Sequence, residues 1–193
     1  EIRSLAVLPL KSLDANNDFL GLGVADAVIR KISQTGSLTV RPTSAVRRYL
    51  NDGTDALTAA NQLSTDAVLE GSFQRSGDRL RVSVNLLRTG DGASLWTDSF
   101  DMTAADVFKI EDTVAQQVAS QLKLQLDPAQ KARLEKKYTS NPTAYDYYVR
   151  AINSLDQRGW GREALPQMNM TVELFKKAIE ADPTYALAHA QLA

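Results

Sequence analysis

Three stretches decide the fold: Ala67-Val-Leu-Glu-Gly-Ser-Phe73, Arg79-Leu-Arg-Val-Ser-Val-Asn-Leu86 and Ser94-Leu-Trp-Thr-Asp-Ser-Phe100. The middle one alternates without a break. Leu80, Val82, Val84 and Leu86 fall on one side, and Arg79, Arg81, Ser83 and Asn85 on the other. A period of two marks a strand with one buried face. Ser76-Gly-Asp78 and Thr89-Gly-Asp-Gly92 join the segments, and links this short make the pairing antiparallel.

Outward from this meander the pattern becomes mixed. Upstream, Ser4-Leu-Ala-Val-Leu-Pro-Leu10 is a continuous apolar run, which fits a strand covered on both faces. A polar stretch from Lys11 to Asp18 ends it, and Asp14-Ala-Asn-Asn-Asp18 reads as a loop. Leu22, Ala25, Val28, Ile29 and Ile32 make one apolar stripe of a helix over residues 19–35, with Arg30, Lys31 and Gln34 on the other side and Gly36 as its stop. Leu38-Thr-Val-Arg41 reads as a second strand. Thr43 or Ser44 can cap a short helix to Leu50, and Thr54 or Asp55 another. Downstream, Thr103-Ala-Ala-Asp106 has capping-box spacing and opens a long helix with Val107, Ile110, Val114, Val118 and Leu122 on its stripe. The order β-α-β-α-α-β-β-β-α predicts an α/β domain over 1–126, an α+β layered mixed sheet on one core.

Asp127-Pro128 sets the boundary, with Asp as cap and Pro at the first helical position. Residues 127–137 are charged and read as a solvated helical linker. From 138 to 193 the pattern is helical throughout. Asn141-Pro-Thr-Ala144 returns as Asp182-Pro-Thr-Tyr185, an offset somewhat longer than the tetratricopeptide (TPR) period of about 34. A loop insertion beginning at Arg158-Gly-Trp-Gly-Arg162 takes up the difference. Phe175 and Ala178, ahead of Pro183, suit the closing helix of such a repeat, and residues 186–193 suit the start of a second, truncated one.

Composition excludes several function classes. The chain has 193 residues, 44% of them apolar, and 22 basic against 23 acidic residues for a net charge of -1. That balance carries no electrostatic footprint for nucleic acid or an anionic membrane. There is no cysteine and one histidine, His189, so disulfide scaffolds, thiolate zinc sites and histidine-based triads are unavailable in this stretch. No run approaches the roughly 18 apolar residues that span a membrane. A start at Glu1 without Met or leader, and an end inside a helical pattern, read as a piece of a longer protein.

The segments Ser4-Leu-Ala-Val-Leu-Pro9, Gly21-Leu-Gly-Val-Ala-Asp26, Thr39-Val-Arg-Pro-Thr-Ser44, Thr65-Asp-Ala-Val-Leu-Glu-Gly-Ser72, Gly77-Asp-Arg-Leu-Arg-Val82 and Leu95-Trp-Thr97 together carry a resemblance. Residues 4–126 resemble the TolB amino-terminal-like domain found in bacterial signalling proteins, and TPR repeats are its usual partner there. In that family the pair follows an effector, which is a CadC-like winged-helix DNA-binding domain, a nucleotide cyclase or a serine/threonine kinase. The resemblance implies a non-enzymatic sensory or protein-interaction module, most of all of a winged-helix transcriptional regulator. It also implies the extracytoplasmic, periplasmic side of a membrane-anchored protein, or the cytoplasm if no anchor precedes it. The alternatives are an envelope assembly scaffold that binds partner proteins, since such scaffolds share the fold, and an accessory domain of a nucleotide cyclase or serine/threonine kinase.

Motifs for chemistry are weak. Gly21-Leu-Gly-Val-Ala-Asp26 places an acid where a dinucleotide loop needs its third glycine. Ser120-Gln-Leu-Lys123 lacks the companions of a penicillin-interacting site. Asp14, Asn16 and Asp18 begin a calcium-loop spacing, but Phe19 replaces its glycine and Ala25 its glutamate. Glu70 is a lone carboxylate. No catalytic residue, metal site or cofactor is therefore expected. The expected partners are a protein or peptide on the repeat surface and a small ligand, with no nucleic acid bound by this segment. Candidate contact residues are Asp18 and Phe19 in the 14–23 loop, Arg47 and Arg48 at a helix start suited to an anion, and the aromatics Tyr145, Tyr148 and Trp160.

Overall fold

The apolar run after Arg3 forms β1 (Ser4–Val7), and two polar residues after it form β2 (Lys11–Ser12). Then come α1 (Asp18–Ser33), β3 (Thr39–Val40), α2 (Thr43–Val46) with a 3-10 turn over Arg47–Leu50, and α3 (Ala56–Gln62). The meander follows as β4 (Ala67–Ser76), β5 (Arg79–Arg88) and β6 (Ser94–Thr103). The remaining elements are helices: α4 (Val107–Gln121), α5 (Pro128–Leu134), α6 (Pro142–Ser154), α7 (Leu165–Ala181) and α8 (Ala186–Leu192). The computed structural model describes residues 2–14, 18–50, 52–103, 107–155 and 165–193, and the backbone alone at Asp18, Phe19, Val107 and Phe108. The expected capping box at 103–106 and Trp160 lie outside the described residues. The chain divides into two units, Glu1–Lys136 and Lys137–Ala193.

In the first unit the sheet order is β3-β1-β4-β5-β6, with β2 also on β4. β1, β2 and β3 run parallel to their neighbours, and β4-β5-β6 is antiparallel throughout, so the sheet is mixed. Leu80, Val82, Val84 and Leu86 are buried on one face of β5, as their alternation requires. Ile110, Val114 and Val118 of α4 are buried too, and α1 and α4 pack against one another. β1 has Leu5, Ala6 and Val7 all buried, which accounts for its unbroken apolar spelling.

Several local expectations need correcting. Lys11–Ser12 is a strand, because its backbone pairs with Ser72 and Phe73 whatever its polarity. Neither Thr43 nor Ser44 caps α2; Pro42 holds the cap position with no side-chain bond, and the Thr43 hydroxyl donates to Asp26 instead. Lys31 does not face solvent. It is 4% exposed, and its ammonium donates to the carbonyls of Leu134 (3.1 Å) and Lys136 (2.8 Å) and pairs with Asp112 at 2.9 Å. The segment after Asp127 is helical and largely exposed, as expected, but it is held to the first unit. Asp127 and Gln130 form a capping box, the Gln130 amide donates to the Thr35 carbonyl at 2.7 Å, and Leu134 is buried. α5 thus lies along the C-terminal end of α1, inside the first unit.

Two glycines permit close approaches around Leu10. A Cβ on Gly21 would stand 1.9 Å from the Leu10 carbonyl oxygen, and one on Gly71 would stand 2.8 Å from a Leu10 methyl and 2.3 Å from the Ser83 carbonyl. Gly21 therefore lets α1 close against the link between β1 and β2.

The second unit is helical. α6 and α7 run antiparallel: Tyr148 meets Phe175 with ring centroids 5.9 Å apart, and the Ser154 and Thr171 hydroxyls are hydrogen-bonded at 2.8 Å. Asn141 caps α6 through Thr143 and Ala144, while its amide donates to the Ala181 carbonyl at 2.7 Å. Tyr185, 2% exposed, closes the unit against Tyr148 at 5.1 Å.

Candidate functional site

The candidate site lies where α1 meets α2 and the 3-10 turn. Asp26 projects from α1 four residues before Arg30, and the pair closes at 2.9 Å. Its other carboxylate oxygen accepts the Thr43 hydroxyl at 2.7 Å. Arg47 is half-buried one turn beyond Thr43. Burial holds the Arg47 guanidinium below its ordinary pKa, and the charge of Asp26 opposes that shift. Arg48 lies over the ring of buried Tyr49, 4.7 Å from its centroid, and donates to the Tyr49 hydroxyl; that hydroxyl donates to Gln62 at 2.8 Å. Arg47 and Arg48 are consecutive in sequence but sit in different surroundings. One is tied electrostatically to α1, and the other is stacked beside α3.

A second polar surface is the outer face of the meander. Arg81 pairs with Asp101 at 2.7 Å, Ser83 meets Ser99 at 2.8 Å, and Asn85 accepts from Ser94 (2.8 Å) and Thr97 (2.9 Å). The Arg81 hydrogen bond holds the Asp101 carboxyl below its usual pKa, and Asp101 raises Arg81 in return. The pair is about two-thirds exposed, so it sets register more than stability. Glu70 belongs to this network, accepting from the Asn85 amide at 3.4 Å. Among the described residues no group of three or more His, Cys, Asp or Glu could hold a metal ion.

Open depressions flank these surfaces. One of about 820 Å³ is lined by Ile2, Leu95, Leu122, Leu124, Arg88 and Lys123. Another of about 480 Å³ lies between the end of β6 and α4, lined by Met102, Thr103, Lys109 and Thr113. No helix among the described residues is long and apolar enough to cross a membrane.

The expected contact residues do not gather in one place. Asp18 and Phe19 open α1, with their side chains outside the described structure. Tyr145 and Tyr148 are 5% and 3% exposed, so their rings pack inside the helical unit rather than line an open groove. Tyr147 is the half-exposed member of that run, with Lys177 over its ring at 5.8 Å. His189 is hydrogen-bonded to the Pro183 carbonyl at 2.9 Å. Sequence reading missed Asp26 and Thr43. The i,i+4 spacing of Asp26 and Arg30 was a usable signal, whereas nothing in the sequence joins Thr43 to α1.

Across 191 residues, 98% of this chain, it is 27% identical to a protein of Rhizobium meliloti (strain 1021) described as "Putative adenylate cyclase 3". It spans only 32% of that protein's length. Among solved structures it is similar to TolB from Acinetobacter baumannii (13% identity, TM-score 0.46, covering 63% of this chain and 28% of that one). It is also similar to PelC from Paraburkholderia phytofirmans (16% identity, TM-score 0.45, covering 64% and 89%). Residues 1–120, from ahead of β1 into the last turn of α4, match the family described as HilA/YgeH-like transcriptional regulator, second domain. With the match running over most of the chain, this protein belongs to the HilA/YgeH-like transcriptional regulator second-domain family.

Proposed function

We propose that this chain is a non-enzymatic sensory and protein-interaction region that regulates a separate effector, most consistently the C-terminal part of a winged-helix transcriptional regulator. One observation carries the reading. The chain belongs to a transcriptional-regulator domain family, yet over 98% of its length it is related to a protein described as an adenylate cyclase. A region shared by proteins with such different outputs contributes something other than the output chemistry. The charged side chains of the two surfaces are engaged in ion pairs, Asp26 with Arg30 and Arg81 with Asp101.

In this reading the second unit is a TPR-like hairpin, α6 and α7, with α8 opening a further repeat. The antiparallel pair and the recurrence of Asn141-Pro142 as Asp182-Pro183 support it. Partner binding would reach the effector as a shift between two arrangements of the full protein. A membrane-anchored protein would place the region on the extracytoplasmic side. The cyclase relative supports a second reading, an accessory region of a nucleotide cyclase.

A reporter experiment tests the proposal. The complete natural protein is compared with a version lacking residues 1–193, with transcription from its target promoter and cyclic nucleotide as separate readouts. A changed promoter output supports the regulator reading, and a changed cyclic nucleotide level supports the second. If neither output changes, both readings fall.

A further inference from the structure

β6 is a ten-residue strand at the end of the sheet, and among the described residues no strand pairs with its outer side. Its backbone polarity follows from the ladder. The Ser83 carbonyl points toward β4, close to Gly71. Ser83 opposite Ser99 is therefore a pair without mutual main-chain hydrogen bonds, and the N–H and C=O groups of Ser99 face the free edge. By the same alternation those of Thr97 and Asp101 do too. The Ser99 N–H confirms the direction, because it donates to the Asp98 carboxylate at 2.8 Å.

Asp98 is out of place by composition. It stands opposite Val84, on the face that β5 lines with Leu80, Val82, Val84 and Leu86. Trp96 and Phe100 flank it on that face, with ring centroids 6.4 Å apart, and Met102 follows. Among the described residues no Lys or Arg pairs with it. An inward charge on an edge strand is a device against indiscriminate strand pairing. An added strand without a cation would cover this carboxylate and compete with its bond to Ser99. An added strand with a cation there would draw the carboxylate off the N–H and free the edge. The guard thus acts as a filter on what pairs.

We propose that the free edge of β6 is a strand-addition site for an extended segment of a partner protein. That segment carries Lys or Arg at the position facing Asp98 and apolar residues at the positions facing Trp96 and Phe100. Main-chain bonds to Thr97, Ser99 and Asp101 supply attachment, and the charge at Asp98 supplies selectivity. A second copy of β6 does not meet the requirement, because the residues it offers on that face are Trp96, Asp98, Phe100 and Met102, none of them basic. The proposal rests on the partner-binding reading above and gives that partner a chemistry.

The test uses the whole chain and two fluorescent peptides, acetyl-Thr-Val-Thr-Lys-Thr-Val-Thr-amide and its Lys-to-Glu counterpart, in an anisotropy titration. The lysine peptide is expected to bind at least roughly tenfold more tightly than the glutamate one. Asp98→Lys reverses the preference. Thr97→Pro weakens the lysine peptide while circular dichroism stays native, since it removes an outward N–H that the β5–β6 ladder does not use. Equal binding of the two peptides, binding of neither, or an unreversed preference in Asp98→Lys overturns the proposal. So does dimerisation through β6 in sedimentation of the unliganded wild type, which would make a second copy the occupant. Failure here alongside a changed reporter output removes only the edge site; an unchanged reporter output removes the broader reading.

Discussion

Replacing Lys31 by Met removes the one ammonium that α1 buries against α4 and the α5 segment. It loses hydrogen bonds to the Leu134 and Lys136 carbonyls and the contact with Asp112. A hydrogen bond from a charged donor is worth about 1.5–3 kcal/mol, and breaking a buried ion pair costs about 3–5 kcal/mol because the surviving charge is stranded. Here the Asp112 side chain keeps 20% exposure, so water meets part of its need. The Met side chain also recovers packing along the lysine stem. The expected loss is about 3 kcal/mol, at the low end of the buried-pair range. Lys31→Met/Asp112→Asn should regain about 1 kcal/mol of it, because both members of the ion pair are then removed, while the two carbonyls still lack the ammonium. The assay is urea unfolding followed by Trp96 fluorescence in a Trp160→Phe background, so that the signal reports the first unit alone. Hydrogen exchange over residues 127–136 should rise in the same variant. A loss below about 1 kcal/mol, with exchange there unchanged, would refute the account of Lys31 as a clamp.

Gly21→Ala ordinarily favours a helix by about 1 kcal/mol. Here its Cβ meets the Leu10 carbonyl at 1.9 Å, so a clear drop in thermal midpoint is expected, and a rise would contradict the packing. Asp26→Ala leaves half-buried Arg47 without the charge that offsets its desolvation and takes the acceptor from Thr43. It should cost about 1–3 kcal/mol in denaturant titration, with Asp26→Asn milder. Hydrogen bonds from the Arg3 amide, then from Ser4, hold the Asp66 carboxyl below its usual pKa. A depressed carboxyl contributes stability that is fully present above its ordinary value of 3.8 and is lost as pH falls through the folded one. Below pH 4, roughly, the wild type should therefore lose stability faster than Asp66→Asn. Parallel acid-unfolding curves would remove Asp66 from that role.

The meander was legible because one face is buried and the other wet, so the period of two survives in the letters from Leu80 to Leu86. β2 was not legible. Two polar residues form a strand only because β4 offers a backbone edge to them. Lys31 looked like an outward lysine because helical periodicity records one apolar stripe and cannot show α5 returning from a hundred residues away to cover the opposite side. The candidate site suffered in the same way. Arg47 and Arg48 were visible as a basic pair, but burial near Asp26 and stacking on Tyr49 are tertiary facts. Tyr145 and Tyr148 were visible as aromatics, and only helix packing decided that both rings turn inward.

The sheet order also implies a sequence of events during synthesis. β4, β5 and β6 are joined by short turns, and their pairing closes quickly. β1 leaves the ribosome ahead of these three strands, yet it must be inserted between β3 and β4 at a chain separation of 62 residues, as the Ser4–Asp66 bond shows. Such non-local, parallel closure is slow. Until it occurs, the apolar Ala67-Val68-Leu69 border of the growing meander stands open. The vulnerable species in the life of this protein is thus the nascent three-stranded sheet awaiting its first strand. Slowing translation just after β6 should improve the yield of native chains.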